Sequence, residues 1–232
     1  RLNKALGVMT ASIIDGNGVI ADFQGDSALG FWGWPVSLPN GPLAACRAAL
    51  RILETFEKAS REAHDYLTGF RVGIGLTSGK AIAGRIGTQQ QAKVGVFGPV
   101  VNAAARLEGI TRKIGVSILM DETTAHFARE HLPAKEGRCR RLGLLRPYGL
   151  DNTIQVSELL PAAPLSNISD RNIRDFEAAV DAFIAGDWDE TLDLLGRMPA
   201  KDRAKDFLLL QIATNNYTPP RDWDGVVTMS SK

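Results

Sequence analysis

The stretch Lys93-Val-Gly-Val-Phe-Gly-Pro-Val-Val-Asn-Ala-Ala-Ala-Arg-Leu-Glu108 decides how the chain is read. Lys93 to Phe97 is a short apolar strand pattern, Gly98-Pro99 turns the chain, and the rest reads as a helix. Asn102 and Arg106 are four residues apart, which puts them one above the other on one helix face. Ala103, Ala104 and Ala105 are small enough to let a neighbouring chain or ligand approach closely. A neutral amide beside a fixed cation can grip a sugar and a phosphate. The same pair also fits an ordinary solvated helix face, and this segment alone leaves both readings open.

Before this stretch, Leu2, Leu6, Met9, Ile13 and Ile14 recur at helical spacing, predicting helix over 1–14. Val19–Phe23 and Ala28–Trp34 read as two strands joined at Gln24-Gly-Asp-Ser27, a hairpin tip. Three prolines make 35–42 a loop, and 43–67 follows as a long amphipathic helix. Strands are predicted at 70–77 and 81–86. Beyond the central helix come a strand at 116–120, a short helix capped by Asp121, and two closing strands at 138–145 and 153–159.

Residues 161–169 read as a linker. Helical patterns then cover 170–184, 188–195 and 201–215, the first two resembling a single tetratricopeptide-type hairpin. Such a unit cannot stand alone and must pack on the rest. Trp223, in the tail, also needs something to bury against.

The bulk numbers exclude several classes. The 232 residues are 44% hydrophobic and 23% charged, with net charge +1, which fits a soluble globular chain and gives no basis for nucleic-acid or membrane-surface binding. No apolar run is long enough to span a bilayer. Cys46 and Cys139 fit neither a metal spacing nor a disulfide framework, so a cytoplasmic setting is the simpler one. The opening Arg1-Leu-Asn-Lys reads as the middle of a helix, which predicts a chain cut from a longer protein, with this chain as its cytoplasmic part.

Several other segments have plainer readings. Gly73, Gly75, Gly79, Gly84 and Gly87 match no phosphate-binding loop and are read as close strand–helix packing and tight turns. His64, His126 and His131 are read as surface histidines. Arg138, Arg140 and Arg141 are read as a solvated strand face. Asp26, at the hairpin tip, is a candidate metal ligand without an evident second carboxylate.

Together, three segments resemble the catalytic domain of the class III nucleotidyl (adenylate/guanylate) cyclases: Gly18–Phe31, Arg71–Gly87, and Val96–Glu108 followed by Ile118–Thr124. The resemblance implies an α+β fold with a ferredoxin-like βαββαβ core plus extra strands. It implies a catalytic domain over 1–160 whose first strand lies before residue 1, a linker at 161–169, and a C-terminal helical extension at 170–232. It implies a homodimer with active sites at the interface, and attack of the ribose 3′-oxygen of ATP or GTP on its own α-phosphorus with loss of pyrophosphate. Two Mg2+ or Mn2+ ions would be held partly by Asp26, the other aspartate lying outside the chain. Asn102 would orient the ribose and Arg106 would neutralise charge on the phosphate.

By the same resemblance, Asp22 and Gly95 occupy the base-reading positions. A carboxylate accepts from the N1–H and N2 amino group of guanine, which gives a slight lean to GTP. The family's phosphate-binding lysine falls near Leu150, with Arg146 as a substitute, and Pro99 stands where Asp is frequent. These departures leave a rival reading: a degenerate cyclase domain that binds nucleotide, or only dimerises, as a regulatory module.

Overall fold

The computed structural model describes residues 1–62, 66–88, 90–148, 152–163 and 165–229. Helix α1 (Leu2–Asp15) runs into the hairpin β1 (Val19–Gln24) and β2 (Ser27–Phe31), which turns through Gly25 at φ +63°. Helix α2 (Gly41–Arg61) follows, ending sooner than its apolar period suggested. Strand β3 is short (Ile74–Leu76), because only three of its residues pair with β6 (Ile118–Asp121), in parallel. A second hairpin, β4 (Ile82–Gly87) and β5 (Ala92–Phe97), leads into α3 (Pro99–Ile114). Helix α4 (Glu122–His131) begins at Asp121, whose Oδ1 accepts from the Thr124 N–H at 2.9 Å.

Strands β7 (Gly137–Arg146) and β8 (Ile154–Pro161) close an antiparallel pair with a bulge between Arg141 and Gly143. Three helices follow: α5 (Asp170–Ala185), α6 (Trp188–Leu195) and α7 (Arg203–Thr214). A last strand, β9 (Val226–Thr228), lies parallel to β7. Strand order in the main sheet is β3-β6-β8-β7-β9, with the two hairpins as separate two-stranded ribbons. This is a mixed α+β fold, as the sequence indicated.

Glycine sets the packing of α3 on the sheet. A Cβ on Gly75 would overlap the Ala104 carbonyl oxygen and come 2.6 Å from the Glu108 nitrogen; one on Gly73 would strike Thr111. Strand β3 and helix α3 therefore touch backbone to backbone, and Leu107, Ile110 and Ile114 are buried beneath. Leu43, Cys46 and Ala49 of α2 build a separate core with Leu76, Ile118, Met120 and Ala125.

The largest apolar cluster joins the sheet to the C-terminal helices. Leu107, Ile114, Leu142 and Leu145 pack with Phe176, Phe183, Trp188, Phe207 and Ile212. Phe183 stacks on Trp188 at 5.6 Å, and Trp223 meets both rings edge-on, so the tail is strapped down as its tryptophan required.

One expectation is corrected here. Residues 138–141 are not a solvated strand face, because α5 and α7 cover it. Arg140 is 1% exposed and is held by Glu158 and Asp202, each with a 2.6 Å contact, with its guanidinium 4.4 Å from the Phe176 ring centroid. Burial works against the Arg140 charge, but the two carboxylates outweigh it and hold its proton more tightly than usual. Arg141 pairs with Asp181 and Arg138 with Asp170, both from α5.

Candidate active site

Helix α3 starts at Pro99 in its first turn, after Gly98 in an extended turn at φ +152° that a side chain adopts only under strain. Thr77 ties the start of the helix to the end of β3, donating from Oγ1 to the Val100 carbonyl at 2.9 Å. Asn102 is exposed and Arg106 half-buried, one turn apart on this fixed helix. Neither makes a hydrogen bond or ion pair among the described residues, so both polar groups are available to a ligand.

Asp26 sits exposed in the turn between β1 and β2. It acts electrostatically on Glu108, two residues beyond Arg106. Burial raises the Glu108 carboxyl above its usual range, and the Asp26 charge adds to that. Among the described residues no group of three or more His, Cys, Asp or Glu could hold a metal. One tip carboxylate and one neighbour do not make a two-ion site, so these residues alone do not fit the implied pair of ions.

Asp22 lies on β1 just past a bulge at Ala21, where the register slips between Ile20 and Asp22. Its Oδ1 accepts from the Phe23 N–H at 3.1 Å and its Oδ2 from Lys93 Nζ at 3.1 Å. Those two hydrogen bonds, Lys93 first, hold its carboxyl below the usual range. Gly95 is buried on β5, opposite Gly84, where a Cβ would press on Ile86 and the Phe97 ring. Lys93, Gly95 and Phe97 alternate onto one face of β5. The fold thus brings Asp22 and the Gly95 strand together through Lys93. Among the described residues no hydrogen bond or ion pair joins that pair to Asn102 or Arg106.

Lys93 escaped the sequence reading, although the period of two along β5 already placed it beside Gly95. Leu150 lies outside the described residues. Arg146 is not a free substitute for the phosphate lysine: it pairs with Asp224 at 3.2 Å and reaches Thr228 and Thr153. His126 and His131 are exposed beside Glu130; His64 lies outside the described residues. Burial pushes the Cys46 thiol up to about 12 and the Cys139 thiol to about 11, so neither is a nucleophile near neutral pH.

Residues 31–137 match the adenylate and guanylate cyclase catalytic domain family. Adenylate cyclase 1 of Rhizobium meliloti is 29% identical over 147 residues, covering 62% of this chain and 21% of that protein. The chain thus spans about a fifth of the length of that relative. The crystal structure of the adenylyl cyclase CyaB from P. aeruginosa superposes with TM-score 0.58 at 20% identity, covering 70% of this chain and 82% of that one. The guanylate cyclase domain of RhGC from Catenaria anguillulae, in complex with GTP, gives 0.54 at 24%, covering 69% and 82%. An adenylyl and a guanylyl enzyme share this fold, so the fold does not choose the base.

Proposed function

We infer, from a chain that belongs to the class III adenylate and guanylate cyclase catalytic domain family, that it converts a purine nucleoside triphosphate to the 3′,5′-cyclic nucleotide and pyrophosphate. The observation that carries this reading is the unengaged pair Asn102 and Arg106, presented by a helix locked to β3 through Gly73 and Gly75. In the reaction the ribose 3′-oxygen bonds to the α-phosphorus as the bond to pyrophosphate breaks. Asn102 would orient the ribose, and Arg106 would neutralise charge gathering on the phosphorus oxygens. Asp22 and Gly95 would face the base. Asp22 alone would favour guanine, but it stands 3.1 Å from Lys93.

Asp26 would supply one ligand to Mg2+ or Mn2+, with others coming from the triphosphate. We assign no step to the ions, because the residues present do not complete their site.

A homodimer would unite Asn102 and Arg106 of one subunit with Asp26 of the other. The β4–β5 hairpin supports this: Ile82 is 79% exposed and Phe97 56%, directly opposite each other, with Ile86 on the same face. Residues 1–160 would be the catalytic domain and 170–232 an extension joined through 161–169. The setting would be cytoplasmic; among the described residues no helix is long and apolar enough to cross a membrane.

The test is turnover of the chain with ATP and with GTP, each in Mg2+ and Mn2+, over a range of protein concentrations. Cyclic nucleotide and pyrophosphate should appear one to one, with specific activity rising with concentration and falling in Ile82→Asp. A verified dimer that makes neither product sinks the reading. One observation favours a second reading, a nucleotide-binding regulatory module without turnover: Arg146 is bound by Asp224 and so withdrawn from any phosphate. Tight binding without product would establish that alternative.

A further inference from the structure

We propose that the cavity between α4, β7 and α5 binds a small organic carboxylate, gripped by the guanidinium of Arg138 with Arg174 as a second cation. The site shares no residue with those assigned to turnover, and it does not depend on that assignment.

The starting point is a donor without a partner. Among the described residues, Arg138 Nε is the one buried side-chain polar atom that makes no hydrogen bond. Leaving a buried donor unmade is costly, so a ligand that satisfies it gains accordingly. The rest of the guanidinium is unevenly used. Nη1 donates to Asp170 Oδ1 at 2.8 Å, whereas Nη2 has only the Pro161 carbonyl, at 3.5 Å. The edge formed by Nε and Nη2 is one on which a guanidinium takes both oxygens of a carboxylate, and here it is nearly idle. The Arg138 side chain is 11% exposed, but its partner Asp170 is 71% exposed, and a pair so open at one end holds weakly. A small turn of Arg138 on its flexible stem therefore presents the idle edge to the cavity at little cost.

The cavity suits such a ligand. It measures about 320 Å³ and opens to solvent, which is room for a molecule of a few carbons. Arg129, Arg138 and Arg174 line it against a single acid, Asp170. Arg129 is committed to Glu122 at 3.0 Å and to Ser157 at 2.8 Å. Arg174 is exposed and makes no hydrogen bond or ion pair among the described residues, so its charge is uncompensated. Burial holds the Cys139 thiol up at about 11, so this lining residue adds no negative charge. Leu132 and Ile173 supply an apolar wall. A carboxylate on Arg138 with a short apolar body against Leu132 and Ile173 uses every part of this lining. Inorganic phosphate would leave the apolar wall uncovered. A staple that merely held α5 to the sheet through Asp170 would need neither the idle edge nor the unpaired Arg174.

The test is calorimetric titration of the whole chain with butyrate, benzoate and inorganic phosphate at fixed ionic strength, with butyramide as the uncharged counterpart of butyrate. Butyrate and benzoate should bind one to one and raise the melting temperature. Butyramide should do neither, and phosphate should bind more weakly. Arg138→Lys keeps the charge but loses the two-pronged edge, and should weaken both carboxylates by about ten- to a hundredfold, the worth of a hydrogen bond to a charged group. Arg174→Gln changes an exposed, unpaired side chain, so the fold stands, and it should weaken them by less. Equal binding of phosphate and butyrate would mean anion screening only and overturn the inference. Carboxylate binding unchanged in both variants, or no binding of either carboxylate to wild type, would overturn it too. None of these outcomes touches nucleotide turnover, so the proposed function stands or falls separately.

Discussion

Four side chains and one glycine carry the proposed chemistry: Asn102, Arg106, Asp22, Asp26 and Gly95. They differ in how far their surroundings commit them. Asp22 is engaged by two hydrogen bonds, whereas Arg106 has none among the described residues. An unpaired guanidinium held half-buried on a fixed helix is placed to act on charge that a reaction brings to it. Replacing Arg106 with Ala should therefore lower kcat by about a hundredfold or more, with little change in melting temperature. Single-turnover kinetics beside a thermal melt would check this. An unaltered kcat would remove Arg106 from the mechanism.

At the scale of elements, the contact of β3 with α3 sets the position of Asn102 and Arg106. The Gly75→Ala substitution adds only a methyl, but it meets helix backbone, which cannot rotate away. It should cost about 1–3 kcal/mol in stability and lower kcat as well, since α3 must shift. Thermal melting and turnover on the same sample would show both, and a stable, fully active variant would contradict the packing argument.

The β9 strap is anchored differently. The Asp224 carboxylate accepts from the Val226 N–H and from Arg146, which hold it below the ordinary 3.8. A carboxyl lowered on folding stabilises above its unfolded pKa, and that stabilisation is lost as pH falls through the folded value. The strap should hold at neutral pH and loosen only in acid below about 3.8, seen as a change in tryptophan emission as Trp223 leaves Phe183. Asp224→Asn should remove that acid-dependent step.

In the whole molecule, the helices after residue 169 are not a detachable appendage. Phe176, Phe183, Trp188, Phe207 and Ile212 share one core with Leu107 and Ile114 of α3, the helix that carries the candidate catalytic pair. Asp202, at the start of α7, also supplies half the charge that Arg140 needs in order to stay buried. Ending the chain at residue 169 would uncover that apolar face, and would remove Asp202 together with the helices that bury Arg140. The truncated chain should be aggregated or molten, by light scattering and near-ultraviolet circular dichroism. A soluble, active 1–169 fragment would show instead that the extension is only attached.

The sequence by itself determined every helix and most strands, because periods of 3.6 and 2 and a few glycines are local properties that survive without a structure. It also carried the resemblance to the cyclase family and pointed to the candidate residues, since Asn102 and Arg106 on one helix face and Gly25-Asp26 at a hairpin tip are short-range patterns. What it could not determine were relations between segments far apart in the chain. That Arg140 is buried depended on Glu158 and on Asp202, 62 residues away. That Asp22 faces a lysine depended on a contact across 71 residues. A charged residue reads as solvated until something folds over it, and an isolated carboxylate reads as an acceptor until a cation is set beside it. Only the tertiary structure decided both, because burial and pairing belong to the folded arrangement and not to any stretch of the chain.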